Sequence, residues 1–288
     1  MTKPFENQHH LLSALDTQVP GGVYLCQVGD EVSCGACCGL YNVAGLSREH
    51  LTALLANRSD RFARTERTPD AIEAFGQETR HLEPRQRPFA ELHHCPFIGL
   101  VGNGRRRVGC LLHPSAAGNC GVDFRGMSFY GGMACRTYFC TTTKELTPRW
   151  KRLLRSVLNH WYLFGLVITE TALLTAIFTH LESRLGKPLD RELDVGGAAA
   201  ESLRRLLGLK CRWPFRPPSH PTACHYLFKD HAHPTPRIPY DQLGMAPSAY
   251  DDILREMPST FGNSQALCRA EALIDSHLEA TVSALTDD

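Results

Sequence analysis

Three cysteines stand within five residues in the segment Ser33–Gly39, "SCGACCG", near the start of a chain of 288 residues. A Cys-x-x-Cys pair is typical of metal sites and redox sites. Two adjacent cysteines, however, cannot both point comfortably at the same small ion. We therefore expect one of Cys37 and Cys38 to face a first metal site, and the other to face a second site or the other side of a polynuclear cluster.

The cysteine content indicates the class of protein. The chain has 12 cysteines and 14 histidines, and nine of the cysteines precede residue 141. Residues 1–10 have no apolar core and carry an acid, so they do not read as a secretory signal and favour a cytoplasmic protein. In that reducing compartment, clustered cysteines more often bind metal than form disulfides. The formal net charge of +1 supports neither a nucleic-acid partner nor a membrane partner.

Zinc and iron are the metals that this pattern favours. A tetrahedral zinc ion takes four ligands, and a cubane 4Fe-4S cluster also takes four cysteines. The pattern does not distinguish them, because both accept thiolates in a tetrahedral arrangement. Ordinary packing and disulfides are the less favoured alternatives, except that ordinary packing is the preferred interpretation of Cys26. Four arginines are expected to offset the negative charge of several thiolates: Arg105, Arg106, Arg107 and Arg136.

Helical patterns cover much of the chain. Ser47 and the pair Thr68–Pro69 are signals for helix starts. Thr147–Pro148 is the same signal for the longest helix. A kink or a split within this helix is left open as an alternative to a continuous helix. The predicted helices cover residues 6–15, 48–57, 69–81, 148–186, 194–208, 240–256 and 264–284.

One hairpin is predicted around an Asn-Gly turn at residues 103–104. Its two strands cover residues 95–101 and 105–112. A two-residue turn places Phe97 opposite Cys110, so that Cys95 and Cys110 share one face as diagonal neighbours, about 7–8 Å apart at the Cα atoms. That distance suits two ligands of one metal site.

The expected fold is mainly α with little β. An irregular cysteine-cluster domain, stapled by metal and containing the small hairpin, is expected over residues 1–146. A helical region over residues 147–288 packs against it and includes a Pro/His-rich arm at about 211–239. The apolar stretch Trp161–Phe178 meets the lower length limit for a membrane span. Glu170 at its centre makes a buried core helix the favoured interpretation.

Four sequence runs occur in order along the chain. They are "CGACCG" at 34–39, "HCPFI" at 94–98, "CLLHP" at 110–114 and "ACRTYFC" at 134–140. Together they resemble the YkgJ-type cysteine-cluster family, which is described as a zinc- or iron-chelating domain. The resemblance covers about residues 26–145 and implies a compact domain in which roughly eight cysteines bind metal. A similar domain occurs in flagellin lysine N-methylases, where the resemblance suggests an iron–sulfur cluster.

The chain departs from the family pattern after His113-Pro114. Residues 115–132 form an insertion, and the usual Arg-Pro is missing. Cys120 lies in this insertion and is included as the eighth position. The predicted metal ligands are Cys34, Cys37, Cys38, Cys95, Cys110, Cys120, Cys135 and Cys140.

A second group of thiols and imidazoles follows residue 200. Cysteine and histidine bind zinc, but the spacing here matches no standard zinc finger, so a histidine-rich loop is favoured over a second metal site. The members of this group are Cys211, His220, Cys224, His225, His231 and His233. Cys268 lies on a predicted amphipathic helix and is expected in the core.

Three functions are compatible with these patterns. The leading one is a binding module that chelates zinc or iron, as single ions or as an iron–sulfur cluster. The second is an iron–sulfur redox or group-transfer enzyme that resembles the methylases. The third is a regulator that switches between thiols and a disulfide at Cys37 and Cys38. The sequence has no nucleotide-binding or hydrolase signature, so it identifies no catalytic residue, substrate or protein partner.

Overall fold

The structure is a computed structural model that describes residues 12–43, 46–83, 87–90, 92–190, 193–194, 196–218 and 236–287. These residues are mainly helical and include a two-stranded antiparallel sheet, as the sequence predicts. The helices concentrate in the carboxy-terminal half. The amino-terminal half contains long irregular segments, and most of the clustered cysteines lie on them or in short turns.

The amino-terminal half has two full helices, the hairpin and two short helices. Their bounds are α1 Arg48–Ala63, α2 Pro69–Leu82, β1 Ile98–Val101, β2 Arg107–Cys110, α3 Gly131–Thr137 and α4 Thr142–Glu145. Two of the three predicted caps are confirmed: the Ser47 hydroxyl accepts from the His50 amide at 3.1 Å, and the Thr68 hydroxyl accepts from the Ala71 amide at 3.3 Å. At the third signal a helix does begin at Pro148, but the Thr147 side chain makes no capping hydrogen bond.

The carboxy-terminal half packs helices around a continuous apolar core. Their bounds are α5 Pro148–Val157, α6 Trp161–Val167, α7 Thr171–Leu185, α8 Ala198–Leu207, α9 Leu209–Arg212, α10 Tyr240–Leu243, α11 Asp251–Glu256 and α12 Ser264–Asp287. The predicted helix 148–186 is therefore split into three, and the predicted helix 240–256 into two. Residues 6–11 of the first predicted helix lie outside the described residues, and residues 12–16 are helical.

Glu170 explains where the apolar stretch breaks. Helices α6 and α7 meet at a 92° bend, and Glu170 lies at that bend. Its carboxylate accepts from the Lys210 ammonium at 2.7 Å, and both side chains are fully buried. A buried carboxylate requires such a partner, so the acid is held inside the core by an ion pair. Within the described residues, no single helix is long and apolar enough to cross a bilayer, although α6 and α7 together pass that test.

The hairpin register differs from the prediction by one residue. Ile98, and not Phe97, is opposite Cys110, and Val101 is opposite Arg107. The connection between the strands has five residues, and Arg105 within it has a φ of 52°. A longer turn of this kind shifts the pairing by one residue. Cys95 lies just before the turn that leads into β1, so the strand register does not place it beside Cys110.

The core links the two halves of the chain. The largest apolar cluster contains Val23 and Leu25 together with helices α5 to α8 and α12. A second cluster places Leu40 and Tyr41, which follow the cysteine triplet, against α1, the hairpin and Trp161. The cysteine-bearing turn is therefore packed between the hairpin and the helical half. The division into two domains at residue 146 stays a prediction.

Candidate metal centre

The cysteine triplet is fastened to the hairpin and to a short β-bridge. The Cys34 amide donates to the Cys26 carbonyl at 2.9 Å, next to a bridge between Gln27 and Ser33. The buried Ser33 hydroxyl accepts from the Val108 amide at 2.9 Å. These contacts fix the backbone immediately before the triplet, so the direction of the following thiols is set by the fold.

Cys95 is brought to the triplet by backbone hydrogen bonds. Its amide donates to the Cys38 carbonyl at 2.8 Å, and the His94 Nδ1 atom donates to the Gly39 carbonyl at 2.7 Å. Gly39 has a φ of 73°, and a Cβ atom there would lie 2.1 Å from the His93 carbonyl oxygen. The two cysteine segments therefore touch along their backbones, and only glycine fits at this contact.

The Arg58 side chain hydrogen-bonds to the backbone on the Cys95 side of this contact. The side chain is fully buried, forms an ion pair with Glu83 and contacts the Nε2 atom of His94. Its Nη1 atom donates to the Cys95 carbonyl at 3.0 Å and to the Ile98 carbonyl at 3.1 Å. Burial, and then the charge of Arg58, lower the pKa of His94 to about 3. A neutral imidazole and a buried cation thus hold the backbone around Cys95.

Three thiols interact directly on one side of the centre. A hydrogen bond from the Cys38 side chain lowers the pKa of Cys95 to about 5, and a hydrogen bond from His93 contributes in the same direction. Cys38 keeps its proton, and its pKa is raised. A hydrogen bond with Cys38 also lowers the pKa of Cys37, which is exposed to solvent. The Cys38 thiol therefore hydrogen-bonds with both Cys37 and Cys95.

A second group of thiols lies on the other side of Cys37. Burial raises the pKa of Cys26 and of Cys34, and the charges of Cys37 and Cys140 raise each further. These interactions bring Cys26, Cys34, Cys37 and Cys140 together. Cys26 was expected to be an ordinary buried cysteine, and its place beside ligand candidates was missed. Gly29-Asp30, a turn signal that folds Cys26 back towards Cys34, is the sequence feature that could have revealed it.

Cys110 and Cys135 extend the first group. Burial raises the pKa of Cys110 to about 12, and the nearby charges of Cys95 and Cys135 contribute. The Cys135 sulfur lies 3.0 Å from the Ser128 hydroxyl. The structure thus brings together seven of the eight predicted ligands, with Cys26 as an additional member. We call this set the thiol cluster: Cys26, Cys34, Cys37, Cys38, Cys95, Cys110, Cys135 and Cys140.

Cys120 is the predicted ligand that the structure does not bring into the thiol cluster. It is exposed, has a φ of 50°, and lies near Arg67. Among the described residues, none of the pKa shifts that link the clustered thiols involves Cys120. Its role as a ligand stays a prediction.

Four of the clustered sulfurs share one backbone arrangement. The Ala36 amide donates to the Cys34 sulfur, with the two atoms 3.5 Å apart. The amides of Phe97, Leu112 and Thr142 hydrogen-bond in the same way to the cysteines two residues before them, Cys95, Cys110 and Cys140. In each case the hydrogen bond lowers the thiol pKa, because it stabilises the thiolate. The loops are therefore shaped to accept negative charge on sulfur.

The four arginines that were expected to offset thiolate charge have other partners. Arg105 pairs with Asp60, and Arg106 pairs with Glu31 at 2.8 Å. Arg107 donates to the Gly29 carbonyl at 2.9 Å. Arg136 pairs with Asp123 at 2.7 Å. Arg58, a buried cation that the sequence analysis did not single out, contacts the backbone of Cys95 instead.

An exposed aromatic rim borders the thiol cluster. The ring of Phe129 stacks on His93 with centroids 4.3 Å apart, and Tyr130 packs edge-on against both rings. Burial, and then the charges of Cys38 and Cys37, raise the pKa of Tyr130. The inserted segment therefore ends in aromatic side chains beside the adjacent cysteines.

The thiol cluster has suitable donors, but its sulfurs are spread apart. Within the described residues, no group of three or more His, Cys, Asp or Glu side chains is arranged to hold a metal ion. The cysteines there are free thiols, with no disulfide among them. Soft thiolate donors in this number suit zinc or an iron–sulfur cluster by their chemistry.

The predicted second site falls mainly outside the described residues. Cys211 is half-buried near Arg216, and burial raises its thiol pKa. The other members, His220, Cys224, His225, His231 and His233, are not among the described residues. A second site therefore stays a prediction. The expectation that Cys268 is a core residue is wrong, because α12 presents it to solvent.

Comparison with protein-family models, with curated proteins and with solved structures gives no match for this chain.

Proposed function

We propose that this protein binds a thiolate-liganded metal centre in its amino-terminal half, as zinc ions or as an iron–sulfur cluster. The observation that carries the proposal is the shared N–H to sulfur arrangement at Cys34, Cys95, Cys110 and Cys140. Four separate loops present a backbone donor to a sulfur, and they do so within one group of interacting thiols. Packing of neutral cysteines requires no such donors, whereas thiolates do.

The proposed centre has two sides that share Cys37. One side contains Cys38, Cys95, Cys110 and Cys135, and the other contains Cys26, Cys34 and Cys140. Cys37 interacts with members of both, since it hydrogen-bonds with Cys38 and raises the pKa of Cys26 and Cys34. Thiolate bridging at Cys37 fits either two neighbouring ions or one polynuclear cluster. This arrangement also follows the resemblance to the YkgJ-type family.

Loading of this centre must release protons. Burial keeps most of the clustered thiols protonated in the metal-free protein, whereas Cys95, with a pKa of about 5, is already a thiolate at pH 7. Metal ligands must be deprotonated, so metal uptake displaces the remaining protons. The proposal also assigns the protein to a reducing compartment such as the cytoplasm, where thiols remain available.

The test is the metal and acid-labile sulfide content of the full chain, purified without oxygen, together with its visible spectrum. The variants are Cys34→Ser and, as a matched control, Cys268→Ser, which removes an exposed cysteine on α12. We expect bound zinc or iron in the wild type and in Cys268→Ser, and loss of metal in Cys34→Ser. A metal-free wild type, or unchanged metal content in Cys34→Ser, would contradict the proposal.

The metal found decides between the alternatives within the proposal. Iron with acid-labile sulfide and a brown colour supports an iron–sulfur centre, and it favours the redox or group-transfer enzyme suggested by the methylase resemblance. A colourless protein with zinc supports a structural or chelating site.

A thiol–disulfide switch is the second candidate function. The hydrogen bond between Cys38 and Cys95 and the low pKa of Cys95 favour it, because a thiolate next to a thiol can form a disulfide by exchange with an oxidised dithiol. In that reaction the two thiols lose two protons and two electrons, and the external disulfide is reduced. Mass mapping after treatment with oxidised glutathione tests it. A Cys38–Cys95 disulfide in metal-free protein would support the switch, and random pairing would exclude it.

A further inference from the structure

Lys151 on α5 is a buried cation without an acidic partner. Its side chain is fully buried, and its ammonium donates to the carbonyls of Gly21 and Thr143, at 2.7 Å each. Within the described residues no carboxylate forms an ion pair with it. Asp16, the nearest acid that acts on it, is held by both guanidinium nitrogens of Arg155, at 2.8 and 3.1 Å.

The other buried basic side chains differ in this respect. Arg58 pairs with Glu83, and Lys210 pairs with Glu170. Burial of an uncompensated charge is costly. Burial correspondingly lowers the pKa of Lys151. A negative charge nearby would favour the charged form of such a residue.

Cys140 is the clustered thiol whose charge acts on Lys151, and it raises the pKa of the ammonium against the effect of burial. Thr143 connects the two residues: its carbonyl accepts from Lys151 at 2.7 Å, and its amide donates to the Cys140 carbonyl at 3.0 Å. Gly21 completes the contact, because its φ is 74° and a Cβ atom would lie 1.8 Å from the Thr143 oxygen. The ammonium thus joins the segment that leads into Cys26 to the segment that leaves Cys140.

We infer that Lys151 is a positioning residue that supplies the built-in positive charge for a metal centre bound by Cys26, Cys34, Cys37 and Cys140. This inference rests on the proposed metal-binding function. A divalent ion with four thiolates carries a net charge of −2, and burial of that charge is unfavourable, as is burial of the lone ammonium. The two opposite charges stabilise one another when both are present. Lys151 therefore favours an anionic, thiolate-rich centre.

A purely structural lysine would behave differently. If the two carbonyl hydrogen bonds were its only role, a neutral donor of similar size would serve equally well. Lys151→Gln keeps an N–H donor and removes the charge, whereas Lys151→Arg keeps the charge. Lys210→Gln is the matched control, because Lys210 is equally buried but pairs with Glu170 instead of facing the thiol cluster.

The experiment is a zinc titration of the full-length, reduced, metal-free chain without oxygen, in competition with a coloured chelator. We expect Lys151→Gln to lower the zinc affinity about tenfold or more. Lys151→Arg should stay within about threefold of the wild type, and Lys210→Gln should lose stability without losing zinc affinity. Far-UV circular dichroism of each metal-free variant checks that it is folded.

Each outcome supports or overturns the inference. Wild-type affinity in Lys151→Gln, or an equal loss in Lys151→Gln and Lys151→Arg, would make Lys151 a structural link only. If Lys151→Gln does not fold, Lys151→Arg decides: retained affinity supports the charge role, and a tenfold loss overturns it. Failure of the wild type to bind zinc and iron would reject the proposed function itself and the Lys151 role with it, so the two failures are distinguishable.

Discussion

Cys37 and Cys38 are neighbours in sequence, yet the fold shifts the pKa values of their two thiols in opposite directions. The pKa of Cys37 is lowered and that of Cys38 is raised, because the Cys38 proton is shared with Cys37 and with Cys95. The side chains also differ in exposure, since Cys37 is open to solvent and Cys38 is half-buried. The expectation that adjacent cysteines serve different sides of one centre agrees with this asymmetry and stays a prediction until metal is measured.

Cys37 should be the cysteine that alkylates first in the metal-free protein. A thiolate that is also exposed reacts fastest, and Cys37 combines a lowered pKa with exposure. Cys95 has the lower pKa, about 5, but only 7% of it is exposed, so it should be protected. Brief iodoacetamide labelling at pH 7 followed by peptide mass mapping measures the order. Faster labelling of Cys268, which is exposed on α12, would contradict this prediction.

Gly39→Ala should lower the free energy of unfolding by about 1–3 kcal/mol. Its left-handed φ disfavours a side chain, and the new Cβ atom would collide with the His93 carbonyl oxygen. Gly22→Ala is the control, because Gly22 has a similar φ of 67° but open space around it. Urea unfolding of both variants separates the collision from the backbone strain. Equal losses would mean that the His93 contact is unimportant.

At the scale of elements, the bend between α6 and α7 depends on one ion pair. The apolar pattern of residues 161–178 predicts a buried helix, and burial is confirmed, but the chain turns by 92° where Glu170 meets Lys210. The partner lies 40 residues further along the chain. Local sequence therefore indicates that an acid interrupts the stretch, but it does not identify the cation that stabilises it.

Lys210→Met should lower the free energy of unfolding by about 3–5 kcal/mol, because it removes the buried cation that pairs with the buried Glu170 carboxylate. The double variant Glu170→Leu with Lys210→Met should recover most of that loss. Arg205→Met is the control, since it removes an exposed pair with Glu201 and should cost less than about 1 kcal/mol. Urea denaturation of the four proteins tests the scheme. A small loss in Lys210→Met, similar to the control, would contradict it.

The hairpin shows how a local signal identifies an element but not its register. The Asn-Gly pair correctly indicates a turn between two antiparallel strands. The arginine that follows adopts a positive φ and lengthens the connection, which shifts every pair by one residue. The proximity of Cys95 and Cys110 then depends on the turn before β1. The Leu111 amide, just after β2, donates to the Phe97 carbonyl in that turn at 2.8 Å.

At the scale of the whole molecule, buried thiols make stability depend on pH. Burial raises the folded-state pKa of Cys26, Cys34, Cys110 and Cys140 above the ordinary value of about 9. As the pH rises past 9, the unfolded chain releases these protons while the folded protein keeps them. The unfolded state then binds fewer protons, so the free energy of unfolding falls.

The metal-free protein should therefore lose stability between pH 9 and about pH 12, the folded-state pKa of Cys110. Burial also raises the pKa of Tyr24 to about 12, which adds a change of the same sign. Urea midpoints at pH 8, 9, 10 and 10.5 under reducing conditions measure this fall. The variant Cys110→Ala should show a shallower fall. Constant stability over this range would mean that the thiols are not buried as described.

The sequence alone determined the features that depend on neighbours along the chain. These are the mainly helical content, the caps at Ser47 and Thr68, the existence of the hairpin, and the concentration of thiols on irregular segments. Each follows from local hydrogen bonding or periodicity, which a single sequence carries directly. Seven of the eight cysteines predicted as metal ligands interact with one another in the structure, and their role as ligands stays a prediction.

Only the tertiary structure decided which distant groups face each other. The charge of Cys140 acts on Cys26, and Arg58 donates to the Cys95 carbonyl. Lys151 donates to the carbonyl of Gly21, which is 130 residues away in sequence. Such contacts form because the apolar clusters pack the cysteine turn between the hairpin and the helical half, and that packing brings buried cations to the thiols. Charge compensation across a core depends on distances in space, and spacing along the chain does not encode those distances.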